Sequence, residues 1–429
     1  MAKIEAFRGI RYTAPDVSEL IAPPYDILTE RDKAALLSKD DHNIVSVDLP
    51  HVPPKNAGPD RVYTQAAGEL TRWLDIRTLR HEPRPAIYAY HQTYKHGDTT
   101  RTRKKFFVRL RLEQFGEGNI FPHEQTFGGP KEDRLKLTQA TRCNLSAIFG
   151  LYPDPENEVS GLFDEVTASD PDQAGILDGV NNQLWVIDDM PLIKAVQVRL
   201  SDRPIFIADG HHRYGTALMY RDRFIEEMGP QPENSPVNYV LAVLGGMEDP
   251  GATIRPYFRT IAGIGHVTAN VLQKTLSGDF TWSPQQVPGQ PDRLAELLEA
   301  AGPCAMGLYV AKDDAFAVIN PKQRDPLASL EPDRAPAWRQ LAYTLLHKLV
   351  IERLIEPNLN EGRPLVLHYH QGLPEAIKDA KESEGIACLM PATTMSQLRE
   401  VCLAGELMPQ KSTYFHPKLA TGMVMNPLY

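Results

Sequence analysis

A short apolar run is followed directly by five residues, four with ionisable side chains and one glycine. The run from Ile205 to Ala208 predicts a buried strand, and it leads without a gap into Asp209, Gly210, His211, His212 and Arg213. A strand that turns tightly into a helix presents backbone amides and the positive end of the helix dipole at the turn, where anions bind. Because glycine has no Cβ, Gly210 allows the backbone to approach a ligand closely. This stretch therefore predicts a phosphate-facing turn.

The side chains of this turn suit phosphate chemistry. His211, His212 and Arg213 can donate to phosphate oxygens, and the guanidinium can do so through two hydrogen bonds. Asp209 can hold a Mg²⁺ ion or accept a proton from a hydroxyl group. In the alternative interpretation, Asp209 only caps the helix and the histidines are solvated. The functional interpretation is favoured because adjacent histidines point about 100° apart on a helix and so do not share one solvated face.

A second group of polar residues lies in "FPHEQTFGGPKEDR" and contains His123, Glu124, Lys131, Asp133 and Arg134. Pro130 and the acidic residues after it suit the first turn of a helix, which gives part of this stretch a structural explanation. That explanation does not cover His123 and Glu124. A carboxylate beside an imidazole in a partly desolvated place can act as a general base.

Two further stretches contain candidate ligand contacts, but a structural role explains each of them at least as well. The stretch "MPQKSTYFHPKLATG" contains Lys411, Ser412, Thr413 and Lys418, which could contribute to an anion site. It lacks the P-loop frame, so an ordered loop explains it equally well. In "APPYD", Tyr25 and Asp26 belong to a rigid turn first and are candidate substrate contacts second.

Two other features favour structural roles. The basic run "RTRKKFF", from Arg101 to Phe107, is more typical of a solvated strand face than of a nucleic-acid site. The stretch "LHYHQ" places His368 and His370 on one side of a strand, and no third metal ligand is visible in the sequence.

The composition excludes several classes of protein. With a formal net charge of −9 and a pI of about 5.8, the 429-residue chain lacks the basic field that attracts proteins to nucleic acid. It has no apolar run long enough to cross a bilayer and no secretory signal, so we expect a cytoplasmic protein that does not act in a membrane. The cysteines are far apart without a Cys-x-x-Cys pair, which argues against a zinc ribbon and favours a reducing compartment: Cys143, Cys304, Cys388 and Cys402.

The elements that must position these residues predict an α/β or α+β fold with a mixed sheet. Alternating runs around Gly97 and Asp98 predict a long hairpin, and "AWRQLAYTLLHKLVIERLI" predicts one continuous helix. We expect an N-terminal segment over residues 1–80, a catalytic core over 81–260, a smaller inserted or appended domain over 261–340, and a C-terminal α/β segment over 341–429 that completes the core.

Taken together, the His-Glu, Asp-Gly-His-His-Arg and Met-Pro-x-Lys-Ser-Thr-Tyr-Phe-x-Pro-Lys motifs resemble a large prokaryotic family of domains of unknown function, over nearly the whole chain. The middle of the chain resembles the ParB and sulfiredoxin superfamily of nucleotide-binding proteins. Within that superfamily, the free serine kinases carry a similar Asp-Gly-His-His-Arg. ParB itself has arginines where this chain has histidines, so the kinases are the closer comparison.

The resemblance implies a fold and a set of roles. Residues 81–260 would form a ParB/sulfiredoxin-like core. Glu124, beside His123, would take the substrate hydroxyl proton, and Asp209 would assist with Mg²⁺ or with the hydroxyl. The nucleotide phosphates would be bound by Gly210, His211, His212, Arg213, Lys131 and Arg134. The accessory or substrate contacts would come from Tyr25, Asp26, Asp133, Lys411, Ser412 and Thr413.

Our leading hypothesis is a phosphotransferase that uses Mg²⁺ and ATP or ADP and acts on a small hydroxylated metabolite, with free L-serine giving phosphoserine as the first candidate. One alternative is a ParB-like nucleotide-binding switch or adaptor. Another is a metal-dependent phosphohydrolase with His123, His211 and His212 as ligands. The expected partners are the nucleotide and the small acceptor, and a homodimer is compatible with the sequence.

Overall fold

The computed structural model describes residues 2–54, 56–124 and 128–429. The chain divides into two compact units. Unit 1 contains Met1–Pro122, Thr126–Thr253 and Pro417–Tyr429, and unit 2 contains His123–Gln125 and Ile254–His416. The four-segment division with boundaries after residues 80, 260 and 340 stays a prediction.

Unit 1 is built on a nine-stranded sheet that includes the predicted long hairpin. The hairpin strands Ile87–His96 and Thr99–Arg111 pair antiparallel, and Gly97 between them has a φ of +56°, a conformation that glycine adopts without strain. The order of strands across the sheet is Ile120–Phe121, Ile205–Asp209, Ile148–Tyr152, Tyr239–Gly246, Thr99–Arg111, Ile87–His96, Val180–Ile187 and Gln173–Leu177, with Ile4–Glu5 also paired to Thr99–Arg111.

This sheet mixes strand directions. Ile205–Asp209 runs parallel to Ile120–Phe121, and Tyr239–Gly246 runs parallel to Ile148–Tyr152. The other pairs in the sheet are antiparallel. The predicted α/β class with a mixed sheet is therefore confirmed.

Helices cover the sheet of unit 1 and bury the strand that carries the candidate turn. Ile205 and Ile207 lie in one apolar cluster with residues of the helices Met190–Leu200 and His211–Met228. Each fully buried isoleucine contributes about 1.5–3 kcal/mol to folding. The remaining helices of the unit are Tyr25–Ile27, Glu30–Leu37, Val45–Asp48, Asp60–Asp75, Gly128–Thr141, Ser160–Phe163, Asp164–Thr167 and Pro236–Asn238. Two short ladders join Ile10–Tyr12 with Leu79–His81 and Cys143–Asn144 with Asn426–Pro427.

Unit 2 has its own antiparallel sheet and its own apolar core. Its strand order is Phe280–Gln285, Ala315–Pro321, Met306–Val310, Ile386–Leu389, Phe258–Ala262 and Val366–His370. Its helices are Ala269–Leu276, Pro291–Ala301, Ala311–Asp313, Pro336–Arg339, Ala342–Thr344, Leu345–Ile355, Glu356–Leu359, Leu373–Glu382 and Met395–Leu403. The short strands Thr253–Arg255 and Tyr414–His416 lie near the ends of this unit's long segment.

The helix predicted for "AWRQLAYTLLHKLVIERLI" is interrupted. Pro336–Arg339 ends before Leu341, whose backbone is extended, with φ −78° and ψ 131°. The chain then continues through Ala342–Thr344 into Leu345–Ile355, which has the wider π-helical turn. Leu341 is buried in the structure, so tertiary packing overrides the local helix propensity here. Within the described ranges, every helix is too short or too polar to traverse a lipid bilayer.

Candidate functional site

The predicted strand, turn and helix are all present around Asp209. The strand Ile205–Asp209 ends at this residue, Gly210 has φ +88° and ψ 29°, and the helix His211–Met228 begins at the next residue. The pairing with Ile148–Tyr152 shifts register between Ile207 and Asp209. Such irregularities redirect side chains, and this one sits where the strand delivers the Asp209 carboxylate.

Gly210 is required by geometry at this turn. Its φ lies in the left-handed region, which costs other residues about 1–2 kcal/mol. A Cβ at Gly210 would also lie 3.0 Å from Nε of Arg213. Gly210 is the N-cap and no side chain caps this helix, so Asp209 does not have the capping role of the structural interpretation.

The Asp209 carboxylate is held by two cations. Nζ of Lys418 donates to Oδ2 at 2.6 Å, and Nη2 of Arg213 lies 3.5 Å from Oδ1. Burial raises the pKa of Asp209, but the positive charges of Lys418, Arg213 and His211 outweigh burial and hold that pKa well below its usual range. Asp209 is therefore a fixed negative charge at neutral pH.

The other residues predicted to bind phosphate at this turn lie on or beside the same helix. His211 is buried, whereas His212 and Arg213 are half-buried, and the Arg213 guanidinium also donates to the carbonyl of Ala147. Lys131 lies over this helix, since a Cβ at Gly215 would be 2.9 Å from Cε of the lysine. Unit 1 thus brings Lys131 and Lys418 to the helix that the Asp-Gly-His-His-Arg motif begins.

Arg134 and Asp133 are committed to a buried network. Nε and Nη2 of Arg134 donate to Oδ2 of Asp133 at 2.8 and 2.6 Å, and the Tyr63 hydroxyl donates to Oδ1 at 2.7 Å. The guanidinium also donates to the backbone carbonyl of Asp48 and stacks 4.0 Å from the ring centre of Tyr25. These contacts fix the N-terminal segment against the helix Gly128–Thr141, and the predicted phosphate contact by Arg134 stays a prediction.

Tyr25 and Asp26 differ in their surroundings. Tyr25 is buried under Arg134, and burial raises the pKa of its phenol. Asp26 is exposed in the short helix Tyr25–Ile27. The rigid turn predicted from "APPYD" is thus present, and the substrate contacts predicted for these two residues stay predictions.

In unit 2, the His-Glu motif meets the Lys-Ser-Thr motif. Nε2 of His123 lies 2.8 Å from Oγ1 of Thr413, and the amide of Lys411 donates to Oε1 of Glu124 at 3.2 Å. His123 is 2% exposed, whereas Glu124 is half-buried. Among the described residues, only the Lys411 amide donates to the Glu124 carboxylate.

The turn that carries Lys411 is conformationally restrained. Lys411 has a φ of +56°, which is uncommon for a residue other than glycine. The hydroxyl of Ser412 donates to the carbonyl of Pro409 at 2.6 Å, and the carbonyl of Ser412 accepts from Thr393 at 2.7 Å. These bonds hold the Lys411 amide in place, so Ser412 supports the loop through its own hydrogen bonds.

Unit 1 contains a buried cationic layer that its sequence pattern does not reveal. Arg103 and Lys105, predicted on a solvated face, are 1% and 3% exposed. Both donate to Oε1 of Gln92, and Arg103 also donates to the carbonyl of Pro417. Burial lowers the pKa of Arg103 to about 10 and the pKa of Lys105 well below its usual value. The solvated-face interpretation is wrong for these two residues, because Arg103 bonds to Pro417 in the C-terminal segment and Lys105 lies over the ring of Tyr90.

The sequence signal for this layer is the period of two in a strand, which places Arg103, Lys105 and Phe107 on one face of that strand.

Unit 2 contains a second group of side-chain contacts that the sequence pattern does not predict. Asp379 accepts from Nδ1 of His368 at 2.9 Å and lies 3.0 Å from Nε2 of His370. Across the described parts of the chain, no three His, Cys, Asp or Glu side chains are arranged to hold a metal ion.

The side chains at the Asp209 turn supply only some of the ligands that a Mg²⁺–nucleotide complex needs. Asp209 can supply a carboxylate oxygen, and Mg²⁺ in nucleotide sites is held by one or two carboxylates together with phosphate oxygens. Lys418 and Arg213 already neutralise this carboxylate. The residues therefore fit Mg²⁺ when phosphate supplies most of its ligands.

Several solved structures resemble this chain at a distance. A free serine kinase mutant in complex with ADP is 12% identical, with a TM-score of 0.34, over 72% of this chain and 87% of that chain. A conserved hypothetical protein from Pyrococcus furiosus is 14% identical, with a TM-score of 0.33, over 74% and 95%. SbnI with a C-terminal truncation, from Staphylococcus aureus, is 11% identical, with a TM-score of 0.34, over 75% and 87%. Likenesses at this distance assign neither a fold nor an activity.

The sequence itself has a clearer relationship. No curated protein sequence matches the chain. The family model described as a protein of unknown function, DUF1015, matches residues 4–344, which is most of the chain. The expected membership of a large family of unknown function is confirmed, and the chain belongs to the DUF1015 family.

Proposed function

We propose that this chain is a phosphotransferase that uses Mg²⁺ and ATP or ADP to phosphorylate a small hydroxylated metabolite, with free L-serine as the first candidate acceptor. One observation carries the proposal: the Asp209 carboxylate lies between Lys418 and Arg213 where a strand enters a glycine-capped helix. This combination of a fixed anion, cations and a helix N-terminus suits a bound nucleotide phosphate with its metal.

The cations of unit 1 support phosphate binding. Lys418 and Arg213 flank the turn, and Lys131 lies one helical turn further along. When a nucleotide binds, these groups can neutralise the negative charge that builds up on the transferred phosphoryl group. Mg²⁺ bound with the nucleotide would add further charge neutralisation, and Asp209 is the residue that would hold it.

Glu124 is the proposed general base. Its carboxylate accepts one backbone hydrogen bond and is half-buried, so it retains capacity to accept a proton. Its assignment rests on the resemblance of the motifs to free serine kinases. Lys411 orients the carboxylate through its amide, and Thr413 lies at hydrogen-bond distance from His123 beside it.

The proposed reaction is a single in-line transfer. The acceptor hydroxyl gives its proton to the Glu124 carboxylate while its oxygen attacks the terminal phosphorus of the nucleotide. The bond between that phosphorus and the bridging oxygen breaks, and the nucleotide leaves with one phosphate fewer. The products are the phosphorylated acceptor, ADP from ATP or AMP from ADP, and one proton.

The test is a direct assay for the product. Purified protein is incubated with Mg²⁺, L-serine and either ATP or ADP, and phosphoserine is measured by ³¹P NMR and mass spectrometry. We expect phosphoserine to form in the presence of Mg²⁺. We expect none to form when EDTA is present from the start. If neither serine nor any acceptor in a metabolite extract is phosphorylated, the proposal is overturned.

The same samples distinguish the alternatives. A ParB-like switch would bind nucleotide and hydrolyse it slowly without an acceptor, and it would phosphorylate no acceptor. A metal-dependent phosphohydrolase would retain a transition metal through purification, which elemental analysis detects.

A further inference from the structure

A small cleft in unit 1 adjoins the Asp209 turn. Its volume is about 30 Å³, which is room for roughly two water molecules. Its polar lining includes Asp48, Ser146, Arg134, Arg213 and Thr216. Arg213 also lies 3.5 Å from Asp209, so the cleft and the turn share one side chain.

Asp48 is the group in this cleft whose chemistry calls for a ligand. It is 3% exposed. Its Oδ1 accepts from Oγ of Ser146 at 3.3 Å and lies 3.5 Å from Nη1 of Arg134. These contacts are all made by Oδ1. A largely buried carboxylate is stabilised by hydrogen-bond donors or a cation, so the side of Asp48 that bears Oδ2 can accept one.

Thr216 provides a second polar group with the same need. It lies on the helix His211–Met228, lines the cleft and is 3% exposed. Its Oγ1 is buried and has no hydrogen-bond partner in the described part of the chain. The cleft therefore combines a carboxylate oxygen and a hydroxyl, both able to accept a hydrogen bond, in a space suited to a small group.

The surrounding cations do not make this cleft an anion site. Arg134 is bound to Asp133 and to the carbonyl of Asp48, and Arg213 is bound to the carbonyl of Ala147. A phosphate in the cleft would meet the Asp48 carboxylate, and the two negative charges would repel each other. A compact ammonium carries three donors and fits both the charge and the space.

We propose that this cleft binds the primary ammonium group of the acceptor, so that the substrates of this protein are small hydroxylated amines such as L-serine. The proposal rests on the proposed phosphotransferase function. The ammonium would donate to Oδ2 of Asp48 and to Oγ1 of Thr216. The rest of the acceptor would extend out of the cleft, because about 30 Å³ does not hold a whole amino acid.

Binding of matched small molecules tests this without catalysis. L-serine, ethanolamine and D-glycerate all carry a hydroxyl, but only the first two carry an amine. In calorimetry with the full chain and saturating AMP and Mg²⁺, which cannot donate a phosphoryl group in the proposed reaction, we expect serine and ethanolamine to bind at least tenfold more tightly than glycerate. Equal binding of glycerate, or no binding of either amine, would show that the cleft holds only water and would overturn the proposal.

Two variants locate the binding group. Asp48→Asn is expected to weaken serine binding at least tenfold and to leave glycerate binding unchanged. Because Asp48 also contacts Arg134, Thr216→Val gives a second measurement that preserves side-chain shape, with an expected three- to tenfold loss. Thr141→Val is the control, since Thr141 is a buried threonine that bonds to the carbonyl of Leu137 and does not line the cleft.

The two proposals fail differently. If serine binds in an Asp48-dependent way but no phosphorylated product forms with any acceptor, the phosphotransferase function fails and the amine site stands. If phosphoserine forms but neither Asp48→Asn nor Thr216→Val raises the KM for serine relative to Thr141→Val, the amine site fails.

Discussion

Asp209 in unit 1 and Glu124 in unit 2 are both carboxylates in candidate motifs, but their surroundings differ. Asp209 is bound by the Lys418 ammonium at 2.6 Å and faces the Arg213 guanidinium at 3.5 Å. Glu124 accepts one backbone amide at 3.2 Å. A carboxylate between two cations keeps its charge and is a weak base, whereas the Glu124 carboxylate has a single neutral donor among the described residues. Under the proposed function, this difference favours charge organisation by Asp209 and proton transfer by Glu124.

The largest expected effect comes from removing the proposed base. Glu124→Gln keeps the shape of the side chain, and we expect the rate of phosphotransfer to fall about 100-fold or more because general bases contribute that much. Nucleotide affinity, measured by calorimetry, should stay the same. Glu132→Gln is the control, since it removes a similar charge from an exposed residue. If the rate of phosphotransfer fell by less than about tenfold, Glu124 would not be the general base, and the proposed difference in role from Asp209 would be contradicted.

Removing the Asp209 charge should affect folding as well as function. In Asp209→Asn, Lys418 and Arg213 lose their carboxylate, and we expect the free energy of unfolding to fall by about 3 kcal/mol, as for other buried pairs. Chemical denaturation measures this loss. The matched control is Asp222→Asn, whose side chain is 49% exposed and pairs with Arg221, and which should lose less than about 1 kcal/mol. If both variants lost the same free energy of unfolding, the ion pairs of Asp209 would stabilise the fold no more than an exposed ion pair does.

Alanine substitutions at Gly210 and Gly179 distinguish an effect of the Asp209 turn on nucleotide binding from the general cost of a strained backbone. Both have positive φ, +88° and +76°, so alanine at either position should lower stability by about 1–2 kcal/mol. Only Gly210 is close to Arg213, because a Cβ at Gly179 would meet nothing within 4 Å. We therefore expect Gly210→Ala, and not Gly179→Ala, to weaken nucleotide binding in a calorimetric titration.

The smallest expected effect is the pH dependence that Asp209 contributes. Since its folded pKa lies below the unfolded value of about 3.9, its stabilisation is fully present above that pH and is lost as pH falls toward the folded pKa. One such group changes the free energy of unfolding by at most about 1.4 kcal/mol per pH unit. The stability difference between the native protein and Asp209→Asn should shrink below about pH 4. A constant difference down to pH 2.5 would contradict the depressed pKa.

Local features of the fold could be predicted because they depend on neighbouring residues. The strand from Ile205, the positive φ at Gly210 and the helix that follows are encoded within one short stretch. The hairpin around Gly97 follows from alternation and a turn residue in the same way. The interruption at Leu341 could not be predicted, because helix propensity does not report that this residue is buried with an extended backbone.

The contacts that define the site come from residues far apart in sequence. Lys418 reaches Asp209 across 209 positions, and Arg103 bonds to Pro417 across 314. No periodicity reports such contacts. For the same reason, the basic run that contains Arg103 and Lys105 resembled a solvated strand face, although these two residues are buried.

The sequence by itself determined the class of fold, the strand-to-helix turn at Gly210 and the types of residue available for chemistry. Only the tertiary structure decided what those residues contact: Asp209 is bound by cations, Arg134 is bound within a buried network, and Asp48 lines a small cleft. The physical reason is that backbone conformation depends on local sterics and hydrogen bonding, whereas the charge state and availability of a side chain depend on which distant groups exclude water from it.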